Sequence, residues 1–284
     1  MSVQTVRDTF NFNVVRLPLV GPDNATTPHY GLFRDDDGSC VGNAVSKKYI
    51  PHTTEDVVTL TEAAYEAFGD GDLKCYWNNG HHVIVQPTNE ERRAIYGTAD
   101  NIFMRCVISA GYDGRPFRAS LGMYRDACKN LMIPRMVEGT TAIIRHTKSS
   151  RIKINDLIDS FHRIRAGWDT LAGMMVRMQQ TNILLDEFLD KVYGKPTNSK
   201  RGLTMHEDRT KTIANRVLDE RLKTGRPQPS ADFNVSVWEC MNGIQGYVQH
   251  ESGIRNADEL GRIFRAAESP IVGKAERLAL SLSV

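Results

Sequence analysis

The sequence lacks most of what would build a secreted, membrane-spanning or cofactor-dependent protein. Its five cysteines, Cys40, Cys75, Cys106, Cys128 and Cys240, are odd in number, scattered and without a C-x-x-C pair. That pattern excludes a disulfide framework, disfavours a structural zinc site and fits free thiols in a reducing compartment. No run of eighteen apolar residues occurs, and the opening MSVQTVRDTFNFN has no apolar segment. Neither a membrane span nor a signal peptide is therefore expected, and a cytoplasmic location is. Phosphate-cradling loops are missing too. Gly194-Lys195-Pro196 has the Gly-Lys dipeptide without a glycine-rich approach, and G-x-G-x-x-G, G-x-S-x-G and H-E-x-x-H do not occur. Without these, ATP-driven, serine-hydrolase and zinc-protease chemistry have no footing, no cofactor is expected, and an enzyme reading has little support.

What is present is an ordinary globular composition of 284 residues with 40% hydrophobic and 25% charged residues, enough to bury a sizeable core. Weak alternation in FNFNVVRLPLV is followed by HYGLFR and SCVGNAV, which predict a hairpin around the turn Asp35-Asp36-Asp37-Gly38. HTTEDVVTLTEAAYEAFG predicts a capped helix ended by Gly69, and LKCYWNNGHHVIVQP predicts a hairpin turning at Asn79-Gly80. His81-His82 with Cys75 nearby could be metal ligands, but strand-end histidines are commoner. Alternation from Phe103 to Ala110 predicts a strand, a turn at 112–116 reverses it, and Phe117–Gly122 returns. A short helix is expected at Met123–Leu131 and a strand at Thr140–His146.

Downstream the period changes. Ile154, Leu157, Phe161, Ile164, Trp168, Leu171, Met175 and Met178 step by three and four, which predicts one long amphipathic helix. The apolar pattern runs on from Ile183 to Val192, and further helices are expected at His206–Lys223, Val235–His250 and Ala257–Ala267. The fold class expected is α+β: an antiparallel β-rich N-terminal half with hairpins packed on a long helix, then a helical C-terminal part. Residues 1–195 would form the core domain and 196–284 a helical extension packed on it.

Charge is distributed unevenly. Between residues 105 and 165, twelve lysines and arginines face five acids, a local +7 in a chain of net +2. A basic block on a near-neutral protein fits contact with a polyanion on one face. The alternative is a solvated charged surface. Candidate nucleic-acid contacts are Arg105, Tyr112, Arg115, Arg118, Arg125, Lys129, Arg145, His146, Lys148, Arg151 and Lys153. Tyr112, at the turn, is the exposed stacking candidate, whereas Phe117 falls on the apolar face of its strand. An ion-paired structural site is the alternative for Arg145-His146, and Arg145 to Lys153 marks a strand-to-helix junction where helix amides also favour phosphate.

Three blocks resemble a known family. They are SAGYDGRPFRASLGMYRDACKNLMI (109–133), with its glycine-x-tyrosine-arginine-x-x-cysteine-x-asparagine core, IIRHTKSSRI (143–152), and SVWECMNGIQGYVQH (236–250). In order, they resemble a phage and plasmid protein family, domain of unknown function 932. Gln245-Gly246 departs from its usual threonine-glutamate. The resemblance implies a phage or other mobile-element setting, and the hairpin, strands and long helix are similar to the β-β-β-α core of RecT, ERF and Rad-fifty-two annealing proteins. The expectation is an ATP-independent single-stranded DNA-binding, strand-annealing recombination protein acting as a homo-oligomer in the host cytoplasm. The competing expectation is a non-enzymatic protein-interaction module that docks its basic face on a phage or host partner, such as a host defence component.

Overall fold

The computed structural model describes residues 3–78, 80–87, 92–95, 99–112, 114–134, 137–146, 150–252 and 258–283, without the side chains of 87 and 150–153. In chain order these form α1 (Gln4–Thr9), β1 (Val14–Val20), β2 (Thr26–Arg34), β3 (Cys40–Ser46), α2 (Thr54–Phe68), β4 (Gly71–Trp77) and β5 (Gly80–Pro87). Then come β6 (Arg92–Ala94), β7 (Asn101–Gly111), β8 (Phe117–Arg125), β9 (Asn130–Met132), β10 (Thr141–Ile144) and α3 (Ser150–Gln180). The C-terminal part holds β11 (Asn182–Leu184), α4 (Leu185–Tyr193), α5 (Lys200–Thr224), β12 (Asn234–Ser236), α6 (Val237–His250), α7 (Glu259–Ala267) and α8 (Pro270–Leu282). The protein is α+β, with antiparallel strands in the N-terminal half and helices mostly in the C-terminal half. No helix among the described residues is long and apolar enough to cross a membrane.

The chain divides into two compact units. The first comprises Met1–Glu90, Met104–Gly122 and Val137–Trp168; the second comprises Glu91–Phe103, Met123–Met136 and Asp169–Val284. The units do not follow the expected boundary at 195/196. Each is discontinuous, because β7, β8 and α3 are long enough to supply residues to both.

In the first unit, β1-β2-β3 form an antiparallel sheet and β10-β8-β7-β5-β4 a second. The expected hairpins are present as β2/β3 and β4/β5, the latter in register from Gly71↔Pro87 to Trp77↔His81; Asn79 of its turn lies outside the described residues. Helix α2 starts at a capping box in which the Thr53 hydroxyl accepts from the Asp56 amide and the Asp56 carboxylate from the Thr53 amide. Its apolar face meets the long helix α3 where Phe68 packs edge-on against Phe161 at 6.3 Å. Gly42, at φ +66, lets the chain pass against Tyr112, whose carbonyl oxygen would stand 2.0 Å from a Cβ at that position.

In the second unit, α6 is buried along most of its length and packs against α4, α5, α7 and α8. A second capping box, Ser236 with Glu239, fixes its start. Its glutamines cover a strand edge. Gln245 donates to the Leu131 carbonyl at 2.5 Å and Gln249 to the Lys129 carbonyl at 3.2 Å, on the edge of β9 that does not pair with β8. The helix expected at Met123–Leu131 does not form. Met123, Tyr124 and Arg125 instead continue β8 and pair with Met132, Leu131 and Asn130 of β9, the turn between them closing through Lys129 at φ 55. Helix α8 was not anticipated. Pro270 at its first position and Val272, Ala275 and Ala279 on its buried side supply the signal that a sequence reading could have used.

Candidate functional site

The eleven candidate contacts have very different fates. Arg115 and Arg145 are exposed and Arg118 is half-buried, all three in the first unit. Register places Arg118 opposite Ile143 and Phe117 opposite Ile144. Directly paired residues share a sheet face, so Arg118, Ser120, Thr141 and Ile143 lie on one side and Phe117, Ala119 and Ile144 on the other. The second side is core, with Phe117 at 1% exposure as expected. On the first side the Thr141 hydroxyl meets that of Ser120 at 3.2 Å, and Ile143 is 56% exposed. Arg145, two residues beyond Ile143, extends this side past the end of β10, an outermost strand of its sheet. Lys148 lies outside the described residues, as do the side chains of Arg151 and Lys153 in the first turn of α3.

Four candidates are not at the surface. Arg105 is buried and donates to the Met104 carbonyl at 2.8 Å. Tyr112 is fully buried and unavailable for base stacking: its ring lies on that of His52 (4.2 Å, 3°) and its hydroxyl donates to the His52 carbonyl at 3.1 Å. His146 is buried between Phe117 (4.7 Å), Tyr49 (5.1 Å) and His52 (5.2 Å). Arg125 is buried in the second unit, donating through Nε to Asp100 and through Nη1 to Glu220. Burial opposes its charge, but Glu220, Cys128 and Asp100 together raise the guanidinium pKa above its usual value. Arg125 thus stays charged, but its charge is buried and committed to Asp100 and Glu220, out of reach of a phosphate. Lys129 is exposed, also in the second unit. Among the described candidates, Arg105, Tyr112, Arg125 and His146 are therefore out of reach of a strand at the surface, whereas Arg118 lies in the paired part of β8, Arg115 just before that strand and Arg145 just after β10.

The motif residues outside that edge build a polar interior to the second unit. Asp100 also accepts from the amides of Asn101 (2.8 Å) and Ala127 (3.3 Å), so it organises the turn that carries Cys128. The Asn130 amide donates to the Asn242 carbonyl at 3.2 Å, and Asn242 to that of Trp238 at 2.9 Å. Glu239 collects Arg221 (2.8 Å), Arg226 (3.1 Å) and the Ser236 amide (2.9 Å). Burial pushes the Glu239 pKa up, yet Arg221, the Ser236 amide and Arg226 hold it below the usual carboxylate value. A small pocket opens between Arg125, Glu220, Arg226 and Trp238. The Cys128 thiol is driven up to about 12, chiefly by burial, so it has no thiolate for nucleophilic work at neutral pH. Among the described residues no group of three or more His, Cys, Asp or Glu side chains has metal-holding geometry. These contacts hold structure together, and Asp100 and Glu220, which make them, were not singled out from the sequence, nor was His52 beneath Tyr112.

The family model described as Domain of unknown function (DUF932) matches residues 42–268. The chain belongs to this family. The match begins at Gly42, the glycine that clears Tyr112, and takes in the residues of the polar interior of the second unit. No curated protein and no solved structure matches the chain.

Proposed function

We propose that the protein binds single-stranded nucleic acid, DNA before RNA, along the β8–β10 edge of the first unit and without nucleotide hydrolysis. The observation that carries the reading is the shared side of that edge: Arg118 and Ile143 in register, with Arg145 beyond them and Arg115 in the turn before β8. Guanidinium groups hold phosphates without regard to sequence, and an exposed aliphatic side chain between them offers an apolar surface to an unstacked base. In its fuller form the proposal is strand annealing by a homo-oligomer in the cytoplasm, the strand held extended so that a complement can pair.

The test is fluorescence anisotropy with a labelled single strand, its duplex and an RNA of the same sequence, each titrated with salt. Single-strand binding should weaken steeply with salt. Arg118→Ala and Arg145→Ala should each weaken it for all sequences and reduce the log–log salt slope by about 0.7 per lost phosphate contact. Folded variants that bind as tightly as the parent would remove this edge from consideration. Absence of binding at low salt would favour docking of an acidic protein on the same edge.

A further inference from the structure

The first unit encloses three histidine rings. His52 precedes α2, His81 lies in β5 and His146 follows β10; all three are buried. His52 is 4.7 Å from His81, edge to face, and 5.2 Å from His146. Among the described residues, neither nitrogen of His52 or of His81 has a hydrogen-bond partner. Native proteins seldom leave buried ring nitrogens unsatisfied, so such a pair calls for a physical reason.

Several contacts around these rings join one stretch of chain to the strands beneath it. Phe10 stacks on His81 (4.0 Å, 7°) and Phe12 meets it edge-on at 5.7 Å. His52 stacks on Tyr112, and the Tyr49 hydroxyl donates to the Gly111 carbonyl at 2.9 Å. Phe10, Phe12, Tyr49 and His52 come from the stretch carrying β1–β3; His81 and Phe117 lie in β5 and β8, and Tyr112 directly follows β7. We propose that this histidine cage is an acid-operated latch, in which protonation of His52 and His81 releases residues 10–52 from the larger sheet of the first unit.

An imidazolium at either position would have poor surroundings. The groups that bear on His52 are His81 and His146, and His82 bears on His81; none is an acid that would hold an imidazolium. Tyr49 and Asp56 act on Tyr112, and the Arg34 guanidinium stands 4.2 Å over the Phe12 ring. Asp56 is the acid of this set, and its carboxylate already accepts from the Thr53 amide at 2.7 Å. Trp77 and Phe117 supply apolar walls at 5.5 Å from His81 and 4.9 Å from His52. Burial therefore holds His52 far below its ordinary value and His81 down to about 3.

The direction of the effect follows. The released chain binds protons near the ordinary histidine value of about 6.5, whereas the closed cage does not. Closure is fully favoured above that pH and is lost progressively below it, by up to about tenfold per pH unit for each histidine. The latch stands apart from nucleic-acid binding and does not depend on it.

Hydrogen exchange of the full chain, corrected for intrinsic rates, tests the latch between pH 7.5 and 5.5. Peptides from residues 10–52 should lose protection on acidification while peptides from α6 keep theirs. His81→Phe, which preserves the stack on Phe10, should flatten the pH dependence; His52→Phe, which preserves the stack on Tyr112, serves if that variant does not fold. Protection of 10–52 that is indifferent to pH, an equal loss in α6, or a folded variant with the parent's full pH dependence would each overturn the latch.

Discussion

Arg125 donates to Glu220 through Nη1 while its Nε donates to Asp100, so one buried guanidinium bridges two carboxylates in the second unit. Removing the cation would strand both anions away from water, and a buried pair broken in this way costs about 3–5 kcal/mol. Arg125→Met, which keeps the volume, should lower the free energy of urea unfolding at pH 7 by that amount. A loss below about 1 kcal/mol would mean that the ion pairs contribute no more than a surface contact.

Glu239 gives the same unit an acid-sensitive joint. Its folded-state pKa lies below the usual 4.5, held down by Arg221, the Ser236 amide and Arg226 against the upward push of burial. A carboxylate depressed on folding contributes stability that is present above its unfolded value and is lost as pH falls below it. Glu239→Gln should therefore cost stability at pH 7 and cost progressively less below pH ~4.5. Parallel stability curves for parent and variant down to pH ~3 would contradict the assignment.

The elements set by local chemistry were legible in the sequence. Thr53 and Asp56 cap α2 where the threonine and the acidic first turn pointed, and the three-and-four spacing from Ile154 to Met178 became one helix, Ser150–Gln180. The site was less legible, because counting bases says nothing about their partners. Arg125 looked like Arg118 in the sequence, yet its carboxylates come from 25 and 95 positions away. Tyr112 stands beside a turn, which suggested exposure; its burial is decided by His52, sixty positions earlier. Likewise, Tyr124 and Arg125 continue a strand because β9 is there to pair with them, a contact that local propensity for a helical turn does not register.

The side-chain cover on β9 yields a third expectation. Gln245 and Gln249 occupy the backbone acceptors that another strand would otherwise use. Gln245→Ala leaves the Leu131 carbonyl buried without its donor, a cost of about 1–3 kcal/mol. Replacement by Glu should cost more than Ala, since a carboxylate cannot donate to a carbonyl. Thermal unfolding of the two variants against the parent measures the order, and an Ala variant as stable as the parent would show that the edge needs no cover.

Two glycines separate space from backbone strain. Gly42 sits at φ +66 with the Tyr112 carbonyl oxygen 2.0 Å from where a Cβ would be, so an L side chain is both strained and in collision with rigid backbone. Gly42→Ala should cost at least about 2 kcal/mol and loosen Tyr112 from His52. Gly246 lies inside α6, and its nearest obstacle is the Arg216 guanidinium at 3.3 Å. That group is the far end of a flexible side chain whose other contact, Glu251 at 2.7 Å, is exposed. It can therefore move aside, and Gly246→Ala should stabilise the protein by about 0.5–1 kcal/mol through helix propensity alone. The pair is read in one set of denaturant titrations: opposite signs support the packing described at both sites, whereas a loss at Gly246 as large as that at Gly42 would mean that Arg216 is held in place.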